Sequence, residues 1–168
     1  LKLDGVFQTA HADEIVREGR FQVIWQTGKY YEREMDEFMR GRDARGIWRG
    51  AFIERMDLAY AAADVVVARS GAGTVSELCL VGKTVVFVPS PNVAEDHQTK
   101  NAMALADRGA ALVVPDREAV ARVFSEAGRL LADDAVRSEM EKNIRALAVA
   151  DSADRVADEI LKVVKRSE

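Results

Sequence analysis

The sequence predicts an α/β fold in which a mostly parallel sheet is flanked by helices. Three observations carry this expectation. Short apolar runs alternate with segments of helical spacing, the runs are near-continuous in β-branched residues, and one of them ends at a glycine-rich turn that opens the next helix. Continuous β-branched runs are what strands covered on both faces look like, and intervening helices are what joins parallel strands. The chain has 168 residues, the length of one domain, of which 48% are hydrophobic and 31% charged. A real core is therefore within reach, and disorder as the main state is excluded.

Taken in order, Phe21–Gln26 reads as a strand that stops at Thr27-Gly28, and Tyr31, Met35, Phe38 and Met39 then recur at helical intervals. Ile47–Phe52 is a second strand, followed by a helix carrying Met56, Leu58, Ala59, Ala62 and Ala63. Asp64–Arg69 is a third strand; after Ser70-Gly71-Ala72-Gly73 a helix runs from Thr74 to Val81 and closes at Gly82, a normal C-terminal stop. Thr84–Pro89 and Ala111–Pro115 are the fourth and fifth strands, with a helix over His97–Arg108 between them. From Asp116 the strands cease, and helices are expected at about 116–132 and 133–149. A last amphipathic helix, capped by Asp151 or Ser152, gathers Val156, Ile160, Val163 and Val164 on one face. The whole is a single Rossmann-like domain over 1–168, with no internal repeat and no linker that would divide it.

Charge and cysteine usage narrow the function. Lys and Arg number 24 against 28 Asp and Glu, a net charge of −4 with a pI near 5.4, whereas a general nucleic-acid binder needs a basic surface to release counterions. Nucleic acid is not an expected partner. The one cysteine, Cys79, allows no intramolecular disulfide and no cysteine zinc site, and suits a reducing compartment. His11 and His97 are separated by most of the chain, so no histidine metal site and no metal cofactor is expected. The longest charge-free run, Thr84 to Ala94, contains two prolines and falls far short of the roughly 20 apolar residues a membrane span needs. The chain opens on Leu1 without a signal-peptide layout, and is expected to be the downstream part of something longer.

In an open parallel sheet, ligands bind beyond the carboxyl ends of the strands, where loops lead into helix N-termini. Ser70-Gly71-Ala72-Gly73-Thr74 is the most suggestive such loop: two glycines let backbone approach an anion, and helix-start amides supply donors and partial positive charge. Two bland readings stay open beside this. The glycines would also suit a tight turn, and Thr74 with Glu77 matches the capping box Thr-x-x-Glu, in which the carboxylate reaches back to a backbone amide. The loop lacks the Lys-Ser/Thr ending of a P-loop and the third glycine of a dinucleotide fingerprint. Pro89–Gln98 is the second informative loop: Asp96, His97 and Gln98 offer carboxylate, imidazole and amide side by side, as a hydroxyl-rich ligand requires, unless Asp96 is only a helix cap and His97 a solvated residue.

Arg69-Ser-Gly-Ala-Gly-Thr-Val-Ser-Glu-Leu78, Gly82, Val86–Pro89, Glu95–Gln98 and Asn101-Ala102, in this order and spacing, resemble the C-terminal half of GT-B glycosyltransferases. Phe52-Ile53, Met56 and Tyr60–Asp64 narrow the resemblance to glycosyltransferase family 28, and to its members that use UDP-N-acetylglucosamine (UDP-GlcNAc). The likeness runs from about Phe21 to the C-terminus. It implies an inverting enzyme that moves N-acetylglucosamine from UDP-GlcNAc onto lipid I to give lipid II in peptidoglycan synthesis, peripheral on the cytoplasmic face of the bacterial inner membrane. This chain would be the donor-binding half, the N-terminal acceptor domain with the general base being absent, so the fragment alone would not complete catalysis. The resemblance further implies that Ile53 offers backbone N–H and C=O to uracil, that Ala72, Gly73 and Thr74 present amides to the diphosphate, and that Glu77 holds the ribose hydroxyls. Gln98 and His97 would hold the sugar ring, and Phe52 and Arg69, with Ser70 and Gly71 in the loop, would shape the pocket. Lys83 stands where members often have proline, and His97 where others carry glutamine. Another UDP-sugar transferase or epimerase-like enzyme, or a non-catalytic UDP-sugar-binding module, are the alternatives. The apolar face of the last helix is expected to lie exposed where the acceptor domain is missing.

Overall fold

A computed structural model describes residues 21–41, 45–91 and 96–165. Residues 1–20 and the 92–95 part of the Pro89–Gln98 loop, with His11 and Glu95, lie outside the described residues. The elements are β1 (Val23–Gln26), α1 (Glu32–Met39), β2 (Ile47–Gly50), α2 (Met56–Ala62), β3 (Val65–Ala68), α3 (Ala72–Val81), β4 (Thr84–Phe87), α4 (His97–Ala106), β5 (Leu112–Val113), a 3₁₀ turn (Asp116–Glu118), α5 (Ala119–Leu131), α6 (Asp134–Arg145) and α7 (Ser152–Lys165). Alternation and order match the sequence reading; the strands are shorter, because residues at both ends, such as Phe21, Asp64, Arg69 and Ala111, lie outside the strand pairing.

Among the described residues, every strand pairing is parallel. Val65–Ala68 pairs in register with Thr84–Phe87, and Val86-Phe87 with Leu112-Val113, so β4 is the centre of a sheet ordered β3-β4-β5. Val23–Gln26 pairs with Ile47–Gly50 as a separate two-stranded sheet. The expected single sheet is thus two parallel sheets by hydrogen bonding.

Burial on both faces holds for β4 above all. Val85 and Phe87 join Leu78, Cys79, Ala102, Leu105 and Ile144 on one face, while Val86 and Val88 join Val114, Ala119, Val123, Leu130 and Met140 on the other. A strand whose alternate side chains feed two cores has no polar face to show, which is why Thr84–Val88 reads as a continuous apolar run. The β1–β2 sheet differs: Trp25 packs with Met35 and Met39 of α1, whereas Ile24 and Trp48 are about half exposed, at 46% and 50%.

Gly82 ends α3 as expected, with φ 69°, ψ 48° and its N–H donating to the Leu78 carbonyl at 2.8 Å. Lys83 has a use of its own: Nζ donates to the Ala63 carbonyl at 2.8 Å, placing a cation at the C-terminal end of α2. The Asp133 carboxylate caps α6 by accepting from the Val136 N–H at 3.0 Å. At α7, the Asp151 carbonyl accepts the first intrahelical bond, from the Arg155 N–H at 3.0 Å. Val156, Ile160, Leu161, Val163 and Val164 of α7 are all more than half exposed, as the sequence anticipates for that face. Among the described residues, no helix is long and apolar enough to cross a membrane.

Candidate functional site

The residues singled out by sequence lie beyond the carboxyl ends of β2, β3 and β4: Phe52 and Ile53 follow β2, Ser70 and Gly71 lead into α3, which carries Ala72, Gly73, Thr74 and Glu77, and His97 and Gln98 open α4. Helix α3 begins at Ala72, two residues before the expected start at Thr74, with Gly71 at the N-cap position in extended geometry (φ −62°, ψ 148°) and no side-chain cap. Its first i→i+4 bond is Val75 N–H to the Gly71 carbonyl, 2.9 Å. The amides of Ala72, Gly73 and Thr74 therefore stand ahead of the hydrogen-bond ladder, as donors at the positive end of the helix.

This geometry removes both bland readings of the loop. A capping box requires Thr74 at the N-cap with Glu77 as the third helical residue; here Thr74 is itself the third helical residue and Glu77 lies a turn further on. The Glu77 carboxylate instead accepts from the Tyr60 hydroxyl on α2, Oε2 lying 3.0 Å away. Burial first, and then the hydrogen bond and negative charge of Glu77, push the Tyr60 phenol up to about 12, so Tyr60 stays a donor at neutral pH. The glycines are not needed for a turn either. Neither Gly71 nor Gly73 has positive φ, and a Cβ on either would meet nothing within 4 Å. What they leave is open space before the helix start.

Behind that space, the loops after β3, β4 and β5 are laced together. Arg69 Nη1 donates to the carbonyls of Val88 (3.0 Å) and Pro89 (3.1 Å) and to the carboxylate of Asp116, which follows β5. Ser70 is fully buried, and its Oγ donates to the Gln98 carbonyl at 2.8 Å. The structure thus places Ser70 as a strut between loops, with its hydroxyl turned inward. Asn101 Nδ2 donates to the Ser70 carbonyl at 3.1 Å, and the Ser90 N–H donates to Gln98 Oε1 at 2.9 Å. The oxygen of the Gln98 carboxamide is so engaged, and its nitrogen end is the donor end. His97 is exposed at the first turn of α4. Asp96 precedes it in left-handed geometry (φ 54°) without capping α4 through its side chain, so its reading as an ordinary N-cap does not hold.

On the β1–β2 side, Phe52 is 64% exposed at the carboxyl end of β2, next to Ile53. The Ile53 N–H is already engaged, donating to Gln26 Oε1 at 2.9 Å. Gln26, Tyr60, Asn101 and Asp116 are the residues the sequence reading did not assign to the site. The rule that strand ends carry function points to Gln26, the last residue of β1; nothing in the spacing marks Tyr60, whose partner lies on another helix. A separate depression of about 350 Å³, lined by Thr27, Glu32, Asp36, Ile47, Trp48, Arg49 and Gly50, contains none of the expected site residues and is bridged by an Arg49–Asp36 ion pair at 2.6 Å. Among the described residues, no three His, Cys, Asp or Glu side chains gather as metal ligands.

Parallel strands joined by crossover helices, with helix-start amides and polar side chains beyond the strand ends, define a Rossmann-like α/β domain of the kind that forms the C-terminal half of GT-B proteins. The chain belongs to the glycosyltransferase family 28 C-terminal domain, which matches residues 4–156. Among curated relatives, the UDP-N-acetylglucosamine--N-acetylmuramyl-(pentapeptide) pyrophosphoryl-undecaprenol N-acetylglucosamine transferase of Parabacteroides distasonis is 48% identical over 145 residues, which is 86% of this chain and 39% of that protein. The protein of the same name from Bacteroides thetaiotaomicron is 47% identical over 158 residues, 94% of this chain and 42% of the relative. This chain thus spans about two-fifths of the length of those relatives. The crystal structure of Acinetobacter baumannii MurG superimposes with a TM-score of 0.75 at 29% identity, covering 95% of this chain and 46% of that one. The glycosyltransferase VinC, solved in complex with dTDP, shares the fold with a TM-score of 0.61 at 22% identity, over 80% of this chain and 32% of its own.

Proposed function

We propose that this chain is the donor-binding part of an inverting transferase that moves N-acetylglucosamine from UDP-GlcNAc to lipid I, forming lipid II on the cytoplasmic face of the inner membrane. The observation that carries the reading is the start of α3: three unladdered amides at Ala72, Gly73 and Thr74 face space that two unstrained glycines keep clear. A pyrophosphate there would be held by backbone donors and the helix end, and the same fixed dipoles favour the charge that develops on UDP as the glycosidic bond breaks. Glu77, held by Tyr60, would clasp the ribose diol through charge-assisted hydrogen bonds. Ile53 would read the uracil edge beside Phe52, and Gln98 with His97 would hold the sugar. Arg69 and Ser70 fix the loops that carry these groups.

The acceptor and the base that deprotonates it belong to the part of the longer relatives that this chain does not span. Calorimetric titration with UDP-GlcNAc, UDP-glucose and dTDP tests the reading. Binding of UDP-GlcNAc in preference to the other two supports it. Equal binding of UDP-glucose moves the chain to another UDP-sugar class, and no binding of any of the three overturns it.

A further inference from the structure

We propose that Gln26 is a placeholder for the nucleotide base: its carboxamide occupies the Ile53 amide in the free protein and is displaced by the carbonyl edge of an incoming uracil. The proposal rests on the donor-site reading above. Its ground is the 2.9 Å bond from the Ile53 N–H to Gln26 Oε1. One N–H serves one acceptor at full strength, so a base that uses this amide must take the position of Oε1. Gln26 is also the right chemistry for the part, because a carboxamide sets a carbonyl oxygen beside an N–H just as the uracil ring does.

The surrounding bonds separate a placeholder from a mere brace. The backbone of the β2–α2 loop is tied down without Gln26, by Thr27 N–H to the Gly50 carbonyl (3.0 Å) and Gly28 N–H to the Ala51 carbonyl (3.1 Å), with Thr27 Oγ1 also on Gly50 at 3.3 Å. The side chain of Gln26 is exposed at the end of β1, so it can swing into solvent without opening the core. Holding the loop does not need it; filling the amide does. In the pose that sets the uracil 4-carbonyl on the Ile53 N–H, cytosine would turn its 4-amino group, a donor, to that N–H and the N3 lone pair to the Ile53 carbonyl, so displacement of Oε1 there favours uridine.

Calorimetry of the 168-residue chain and its Gln26→Ala and Gln26→Glu variants with UDP and CDP tests this. Gln26→Ala no longer has a bond to break and is expected to bind UDP about three- to tenfold tighter, with CDP unchanged. Gln26→Glu, a stronger acceptor for the same amide, is expected to weaken UDP more than CDP. Weaker or unchanged UDP binding by Gln26→Ala, or equal gains for UDP and CDP, would overturn the placeholder alone. If neither wild type nor variants bind UDP, the donor-site reading falls and takes the placeholder with it.

Discussion

Replacing Glu77 with glutamine removes one negative charge from the second turn of α3 while keeping the side chain's length and an oxygen that can still accept from Tyr60. Because Glu77 is not part of a helix cap, and its one hydrogen bond, at 3.0 Å to Tyr60, lies in an exposed setting, the folded state should lose no more than about 1 kcal/mol. A carboxylate that accepts from both ribose hydroxyls makes two charge-assisted bonds, each worth about 1.5–3 kcal/mol, and the amide can replace only part of that. A loss near 2 kcal/mol is therefore expected in UDP affinity, which is about 30-fold. Urea denaturation reads the first quantity and calorimetry with UDP the second. Titration with 2′-deoxy-UDP adds a check, since the variant should lose less against a ligand that has one hydroxyl fewer to offer. A UDP affinity that falls less than about threefold, or falls equally for the deoxy ligand, would refute the reasoning.

Gly73→Ala is expected to raise stability by up to about 0.5–1 kcal/mol, since alanine suits a helix better and its Cβ meets nothing within the chain, yet to weaken UDP about tenfold or more by crowding the pyrophosphate; a parallel melt and titration compare the two signs. Tyr60, pushed up to about 12 chiefly by burial, should show that midpoint in the phenolate absorbance that Tyr60→Phe abolishes. Its contribution to stability is in full force below the ordinary tyrosine pKa near 10 and is lost as pH rises through 12. Gly82→Ala should cost about 1–2 kcal/mol in urea denaturation, the strain of a left-handed alanine at φ 69°; its Cβ would also sit 2.0 Å from Arg145 Nε. The Arg145 side chain is exposed and must turn aside to admit that Cβ; adding Arg145→Ala removes the contact and leaves the backbone strain, so the greater part of the loss should remain.

How much was legible in the sequence follows from which interactions are local. The run at Thr84–Val88 announces a strand buried on both faces because both faces of β4 feed cores, and Gly82 announces the end of α3 because its left-handed backbone suits glycine. The start of α3 is less legible: Thr-x-x-Glu matches a cap, but the chain turns helical at Ala72, and that frees Glu77 for a partner 17 residues away. Tyr60, Gln26 and Asp116 act through contacts that span 17, 27 and 47 residues, and no spacing rule reaches so far. Ser70 shows the converse: its place in a glycine-rich loop suggests ligand contact, whereas the packing of α4 turns its hydroxyl inward onto Gln98. The split into two sheets is likewise invisible locally, since each strand carries the same apolar signal whichever neighbour it pairs with.

The most direct measurement is a two-dimensional amide spectrum of the labelled chain titrated with UDP. The largest shifts are expected at Ala72, Gly73 and Thr74, with Ile53 and the Gln26 side-chain amide moving at the same ligand concentration. Shifts confined to the depression around Asp36, Trp48 and Arg49, or a helix start at Ala72 that stays silent at saturating UDP, would contradict the donor-site reading.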